Sequence, residues 1–223
     1  MILPALITSA GRPDLLQRTI STLFKNQPFE DIDLTIQEDA IPSKISFSKE
    51  GIETKHPIKF IILEGGCLNK NIEYYLRGLN GHKYYLHLED DWDFNNSYDW
   101  ITESLEIMEK EPEVCKVLAR STNNHHQLIN HRAINGIEYA DIVPLDLGVI
   151  WYGYSNTPGV TRVKAMKECM PFVPLSGAHA EVPIMQKLHE LNYKTVHLVN
   201  GVASHTGAEH PTWFGEGESI YKK

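Results

Sequence analysis

Four carboxylates lie within five positions, at Glu89, Asp90, Asp91 and Asp93. They follow residues 84–88, a short stretch of strand-forming and mostly apolar side chains. Because an unpaired buried carboxylate costs several kcal/mol, the acids are expected where the strand leaves the sheet. Open α/β sheets bind ligands at this carboxyl edge. Hard carboxylate oxygens there suit a divalent cation and, through it, a phosphate-bearing substrate.

Polar side chains also end the other predicted strands of the first half. The first strand ends at Thr8 and Ser9, with Arg12 just after it. Asp39 follows the second strand, and Asn69, Lys70 and Asn71 follow the third. Late in the chain, Glu181 opens a predicted helix and His205 follows the last predicted strand. The positions of the first-half residues, at the ends of predicted strands, make them candidates for the same edge of the sheet.

The elements that position these residues alternate between strands and helices. Apolar patterning predicts strands over 3–9, 33–37, 58–63, 84–88, 114–119 and 195–199, and helices over 13–26, 70–79, 97–110, 161–170 and 179–191. Residues 121–136 are polar and unpatterned and predict a loop, whereas 137–143 and 147–152 predict a pair of strands. This order predicts one α/β domain with a mostly parallel sheet flanked by helices.

Composition limits the class of protein. The 223 residues, 42% apolar and 22% charged, fit one soluble globular domain. The net charge of −8 disfavours a nucleic-acid partner, and no run approaches the roughly 18 apolar residues of a membrane span. The first seven residues have no basic region and predict a strand, not a signal peptide. Three cysteines without motif spacing favour a reducing compartment, and hence a cytoplasmic location.

The ordered set of motifs resembles the glycosyltransferases of the GT-A fold, over most of the chain. Glu89-Asp90-Asp91 is similar to the Glu-Asp-Asp variant of their DXD motif, and Thr8-Ser9-x-x-Arg12 to their first turn. Residues 156–159 and 203–207 resemble later landmarks of these enzymes. The resemblance implies a nucleotide-sugar-binding half over about 1–120 and an acceptor and catalytic half over about 121–223.

The resemblance also implies a role for each acid of the motif. Asp91 would hold a divalent metal, Mn²⁺ or Mg²⁺, with His205 as the second ligand. Asp90 would face the ribose or a metal-bound water, and Glu89 would support the site. Asp93 is an alternative to Asp91 as the ligand, and His210 an alternative to His205.

The donor would be held at the ends of the first three strands. The resemblance implies that Thr8, Ser9 and Arg12 hold the base and phosphates, that Asp39 binds the base, and that Asn71 lies beside the same edge. Ordinary turn chemistry and helix capping are the alternative for these residues. Lys70 would pair with phosphate, although a solvated lysine is the commoner outcome.

An inverting transfer needs a carboxylate that takes a proton from the acceptor hydroxyl. Glu181 is the first candidate, followed by His179 and then by Asp141 or Asp146. An acid in a first helical turn is also what the helix dipole favours without any catalysis. Aromatic side chains that suit a sugar face, or alternatively the core, precede this helix at Trp151, Tyr152 and Tyr154. The segment 205–217 is expected to fold over the donor, with Trp213 and Phe214 as part of this cover or, alternatively, as packing residues. The loop 121–136 is expected to line the acceptor site.

The leading hypothesis is a metal-dependent glycosyltransferase, inverting, with a nucleoside-diphosphate sugar as donor and UDP as the favoured nucleotide. The acceptor is unknown, and the acidic charge disfavours a nucleic-acid acceptor. A sugar-nucleotidyltransferase is an alternative, but it normally carries a Gly-rich basic loop after the first strand, where this chain has only Ala10-Gly11-Arg12. The other alternative is a nucleotide-sugar- or carbohydrate-binding protein without catalysis.

Overall fold

The computed structural model describes residues 1–38, 52–63, 67–121, 127–146, 148–175 and 180–207. Its strands are β1 (Leu3–Ser9), β2 (Ile32–Glu38), β3 (Lys59–Ile62), β4 (Tyr84–Glu89), β5 (Trp92–Phe94), β6 (Val114–Leu118), β7 (Leu128–Ile134), β8 (Ile137–Ile142), β9 (Leu145–Asp146), β10 (Ile150–Trp151), β11 (Gly159–Arg162), β12 (Lys194–Leu198) and β13 (Ala203–His205). Its helices are α1 (Pro13–Asn26), α2 (Leu68–Gly78), α3 (Trp100–Lys110), α4 (Val163–Glu168) and α5 (Glu181–Glu190).

Within the described residues, nine strands form one central sheet in the order β3-β2-β1-β4-β11-β6-β12-β8-β7. Strands β3, β2, β1 and β4 are parallel neighbours, and β12 is parallel to β6. Strand β11 runs antiparallel between β4 and β6, and β8 is antiparallel to β12 and β7. The single α/β domain with a mostly parallel sheet is therefore confirmed.

Helices cover both faces of the sheet, because each has one apolar side. Helix α1 starts at Pro13, whose missing N–H is harmless in a first turn, and it buries side chains at helical spacing. It packs on one face with α3, whose N-cap Asp99 accepts a hydrogen bond from the Thr102 amide at 3.2 Å. The other face is covered by side chains of α2, α4 and α5. Both faces of the central strands are consequently buried, as their near-continuous apolar sequences require.

A second, two-stranded sheet brings a late segment of the chain to the acidic run. Strand β13 pairs antiparallel with β5, so that His205 lies opposite Trp92. Trp92 and Phe94 are buried, and the Trp92 ring lies 5.2 Å from the His205 ring between centroids. This apolar pairing fixes β13 beside the end of β4.

One sequence-based prediction of an element was wrong, and two others gave elements longer than those of the structure. Residues 121–136 contain the strand β7, an edge strand with no fully buried side chain and no alternation of apolar and polar residues along its sequence. The predicted helix over 161–170 begins as a strand, since β11 continues to Arg162 before α4 starts. The predicted strand over 147–152 is reduced to the two residues of β10. No helix in the described part of the chain is long and apolar enough to cross a bilayer.

Candidate active site

The acidic run lies at the carboxyl edge of the sheet, as the sequence predicted. Glu89 is the last residue of β4 and pairs in register with Thr8 of β1. Asp90 and Asp91 form the step from β4 to β5, so their carboxylates leave the sheet beside the turn after β1. The edge therefore combines side chains from the first strand, the fourth strand and the small second sheet.

Asp90 organises the turn after β1. Its side chain is fully buried, and its Oδ2 accepts hydrogen bonds from Ser9 Oγ at 3.0 Å, from the Ala10 amide at 3.2 Å and from Arg12 Nε at 3.2 Å. Its Oδ1 accepts a further bond from Arg12 Nη2. Both oxygens are thus engaged by the chain itself, and Asp90 holds Ser9 and Arg12 in place.

Asp91 shares its carboxylate between an arginine and a histidine. Its Oδ2 lies 2.9 Å from Arg12 Nη1 and 3.2 Å from His205 Nε2. Its backbone oxygen accepts from the Thr206 amide at 2.8 Å and from Thr206 Oγ1 at 3.0 Å. Burial by itself raises the pKa of Asp91, but the hydrogen bond to His205 and the charge of Arg12 outweigh it and lower that pKa. The carboxylate is therefore held ionised.

The Asp91 and His205 pair fits a divalent metal ion. Asp91 Oδ1 is buried and has no hydrogen-bond partner among the described residues. A buried carboxylate oxygen without a partner is costly, and a metal ion would satisfy it. A carboxylate oxygen and an imidazole nitrogen form a donor set that Mn²⁺ accepts. Within the described ranges no three His, Cys, Asp or Glu side chains cluster to hold a metal by themselves, so other ligands, such as phosphate oxygens, would complete the coordination.

Asp93 belongs to a different contact. It lies on β5 between the buried Trp92 and Phe94, and its carboxylate pairs with Arg18 of α1. This ion pair ties the small sheet to α1. The two acids that the sequence did not separate, Asp91 and Asp93, thus have different partners, and the contact with His205 falls to Asp91.

Glu181 has one engaged and one free carboxylate oxygen. It is the first residue of α5, and its Oε1 accepts hydrogen bonds from Ser155 Oγ at 3.1 Å and from the Asn156 amide at 2.6 Å. Its Oε2 accepts none from any residue in the described ranges. Burial raises the pKa of Glu181 against the opposing effect of these hydrogen bonds. A fixed carboxylate with a free oxygen and a raised pKa is what a general base requires.

Lys116 is a residue of this region that sequence reasoning missed. It lies in β6 with no exposed surface, and its Nζ donates to the Ser155 carbonyl oxygen at 2.6 Å. Burial lowers the pKa of Lys116 to about 8, although the charges of Glu181 and Glu89 raise it. Burial raises the pKa of Glu89 to about 8, with Asp91 and Glu181 adding to the effect. The available signal was the single charged side chain within the otherwise apolar strand Val114–Leu118.

Other residues of the first half have structural contacts. Thr8 Oγ1 contacts the Leu88 carbonyl oxygen at 3.4 Å, and Asn71 is buried within α2. Asn69 Nδ2 donates to the carbonyl oxygens of Val173 at 2.8 Å and Ala180 at 3.0 Å, which ties α2 to the start of α5. Glu38, which the sequence analysis did not single out, accepts the Gly11 amide at 2.6 Å and holds the turn after β1. Asp39, His179, His210, Trp213 and Phe214 lie outside the described residues.

The candidate sugar-stacking residues are largely part of the core. Trp151 and Tyr154 are buried, and Trp151 Nε1 donates to the Tyr154 carbonyl oxygen at 3.0 Å. Tyr152 stacks on His189 with ring centroids 3.6 Å apart. The third candidates for the general base have other contacts. Asp141 forms an ion pair with Arg132, and Asp146 accepts a hydrogen bond from the Gly148 amide.

Comparison with solved structures identifies the fold. The chain superimposes on residues 1–349 of Staphylococcus aureus TarS with a TM-score of 0.60 at 16% identity, covering 93% of this chain and 61% of that one. It superimposes on GalNAc-T7, solved with UDP, GalNAc and Mn²⁺, with a TM-score of 0.62 at 10% identity, covering 92% and 44%. The fold is that of the GT-A glycosyltransferases.

A mannosyltransferase from Pyrobaculum calidifontis, solved with GDP-Man and Mn²⁺, gives a TM-score of 0.64 at 9% identity over 95% of this chain and 58% of that one. The GT-A fold that the sequence resembled is therefore confirmed. The chain spans less than two thirds of the length of each of these proteins. No protein-family model and no curated protein matches the sequence.

Proposed function

We propose that the protein is a metal-dependent glycosyltransferase that moves a sugar from a nucleoside-diphosphate sugar to an acceptor hydroxyl with inversion. The observation that carries the proposal is the joint presence, at one end of the GT-A sheet, of the Asp91–His205 pair and of Glu181 with one free oxygen. Structures of similar fold were solved with UDP, UDP-GlcNAc or GDP-Man, which supports a nucleotide-sugar donor. UDP remains the favoured nucleotide.

Asp91 Oδ1 and His205 Nε2 would hold the divalent ion. When bound, Mn²⁺ or Mg²⁺ neutralises charge on the departing diphosphate. Arg12 lies against both Asp90 and Asp91, so it fixes the direction of the Asp91 carboxylate before the ion and donor arrive. Thr8 and Ser9 end β1, and their hydroxyls donate to the Leu88 carbonyl oxygen and to Asp90 Oδ2.

Glu181 would act as the base through Oε2. In the transfer, Oε2 accepts the proton of the acceptor hydroxyl, the hydroxyl oxygen forms a bond to the anomeric carbon, and the bond from that carbon to the diphosphate oxygen breaks. The hydrogen bonds of Ser155 and Asn156 to Oε1 prevent rotation of the carboxylate. The raised pKa of Glu181 lies closer to neutral pH, so its carboxylate accepts a proton more readily than an ordinary glutamate does.

Donor binding provides the first test. Isothermal titration of the protein with UDP and GDP, with and without Mn²⁺, should show tighter binding in the presence of the ion. Asp91→Asn should remove the Mn²⁺-dependent gain, while the matched variant Asp93→Asn, whose partner is Arg18, should keep it. Equal loss in both variants, or none in Asp91→Asn, would contradict the metal assignment.

Turnover provides the second test. Incubation with a panel of nucleotide sugars and Mn²⁺ should give hydrolysis or transfer, and Glu181→Gln should bind the donor normally and lose transfer. Release of pyrophosphate from a nucleoside triphosphate would instead favour a nucleotidyltransferase. Donor binding without turnover on any acceptor would favour a binding protein.

A further inference from the structure

Lys116 crosses the interior of the sheet region to reach the candidate active site. Its register partner on the neighbouring strand β11 is Thr161, and its side chain passes over Gly159. A Cβ atom on Gly159 would lie 2.9 Å from Lys116 Cε and 2.5 Å from the Val117 carbonyl oxygen. The missing side chain at Gly159 therefore provides the room through which the lysine extends toward the carboxyl edge.

At the end of this path, the ammonium group contacts the turn that holds Glu181. Lys116 Nζ donates to the Ser155 carbonyl oxygen at 2.6 Å and lies 5.3 Å from the centroid of the Tyr154 ring. Ser155 Oγ and the Asn156 amide in turn donate to Glu181 Oε1. The contacts run without interruption from Lys116 through residues 155 and 156 to the carboxylate.

The electrostatic surroundings of Lys116 consist mainly of acids. Glu89 faces it from β4 and Glu181 from α5, and the buried thiol of Cys115 lies on its own strand. His87 of β4 is also near; burial lowers its pKa well below the usual range, so this ring is neutral. Among the described residues Lys116 makes no direct ion pair, so its charge acts on the two glutamates through space. Arg120 is a second cation whose charge acts on Glu181.

An ordinary core position would not contain this residue. Burying an ammonium group costs several kcal/mol, and replacing buried charge by apolar side chains is often neutral or stabilising. A lysine in the middle of β6 therefore has a use other than packing.

We propose that Lys116 is a positioning residue for the base: it holds the 155–156 turn against Glu181 and supplies, together with Arg120, positive charge that favours the ionised carboxylate, with Oε2 free for the acceptor. This proposal rests on the proposed function, because it deepens the role of Glu181. Opposite charges within about 4–6 Å lower a carboxyl pKa by about 1–3 units, and the separation here, longer than a direct ion pair, favours the lower end of this range.

Lys116→Met tests the proposal in the intact chain. We expect the transfer kcat to fall about 10- to 100-fold with the donor KM changed less than about threefold, and the acid limb of the pH profile to move about one unit upward. Lys116→Arg should restore the position of that limb, since it keeps the charge. Thr161→Val removes a buried hydroxyl from the residue opposite Lys116 in the sheet, and it should leave the limb in place. If Lys116→Met does not fold, the neutral Lys116→Gln takes its place.

A second measurement separates this proposal from the proposed function. The infrared carbonyl band of protonated Glu181, identified by its loss in Glu181→Gln, can be titrated without any substrate. Its midpoint should move about one unit higher in Lys116→Met and stay fixed in Thr161→Val. An unchanged midpoint in Lys116→Met, or an equal shift in Thr161→Val, would overturn the role of Lys116. A shifted midpoint in a protein that turns over no nucleotide sugar would retain the Lys116–Glu181 linkage and refute the transferase function.

Discussion

Gly207 lies so close to Asp91 that a single methyl group tests the geometry of the candidate metal site. A Cβ atom built on Gly207 would lie 2.2 Å from Asp91 Oδ2, 2.7 Å from its Cγ and 2.8 Å from its Cβ. Rotating the carboxylate does not relieve the clash, because the Asp91 Cβ is too close as well. Gly207→Ala must therefore displace either Asp91 or the segment that carries Thr206.

The size of the effect follows from the contacts at stake. An ordinary contact is at least 3.4 Å, so the shortfall to Oδ2 is 3.4 − 2.2 = 1.2 Å. Moving Asp91 strains its contacts with Arg12 and His205, whereas moving residue 206 breaks two hydrogen bonds to the Asp91 carbonyl oxygen. At about 1 kcal/mol for each hydrogen bond, the free energy of unfolding should fall by about 2 kcal/mol. For a chain of this size the melting temperature should fall by about 4–8 °C.

Two assays check this expectation. Urea denaturation measures the loss of stability, and titration with Mn²⁺ and UDP should show affinity at least about tenfold weaker than in the unmodified protein. Gly78→Ala is the matched control, because a Cβ there meets nothing within 4 Å. It should leave both quantities unchanged or raise stability slightly.

Unchanged stability together with unchanged Mn²⁺-dependent affinity in Gly207→Ala would refute the packing of residue 207 on Asp91. A loss of stability with full affinity would show that the segment yields and that Asp91 binds the ion without it.

Three further outcomes are expected. Gly159→Ala should lower the free energy of unfolding by about 3 kcal/mol in urea denaturation, since its Cβ would lie 2.5 Å from the backbone oxygen of Val117 within the sheet. Arg12→Met should lower the free energy of unfolding by about 3–5 kcal/mol at pH 8, because it leaves the buried Asp90 without its cation. The loss should be smaller at pH 5, where protonation of Asp90 removes the unpaired charge. An equal loss at both pH values would contradict this pairing. The kcat/KM for transfer should rise with pH to a midpoint above the ordinary glutamate pKa, since the base must be deprotonated and burial raises the pKa of Glu181; a midpoint at or below the ordinary value would argue against Glu181.

The sequence predicted the part of the fold that local pattern controls. Alternating strands and helices predicted the α/β layers, and the cost of burying carboxylates placed Glu89 and its neighbours at the end of β4. Thr8, Ser9 and Arg12 were placed at the same edge because they lie at the end of β1. The resemblance added His205, which no pattern in residues 203–207 would have singled out by itself.

The remainder depends on contacts between distant residues. Strand β7 gave no signal because an edge strand has little apolar surface to bury. Lys116 was missed because the sequence does not show where the ammonium group of a charged strand residue lies. Here the space for its side chain comes from Gly159, which is 43 positions later in the chain. The separate partners of Asp91 and Asp93 likewise depend on β13 and α1, which pack against β5 only in the complete fold.

The antiparallel strand β11 also constrains how the chain reaches its native state. Strands β4 and β6, joined through α3, run in the same direction and have the connectivity of a unit that ordinarily pairs side by side. In this protein they must stay one strand apart until residues 159–162 arrive between them. Direct pairing of β4 with β6 would exclude β11 from the sheet and, with it, Gly159. The path of Lys116 to the candidate active site therefore depends on β11 lying between these two strands.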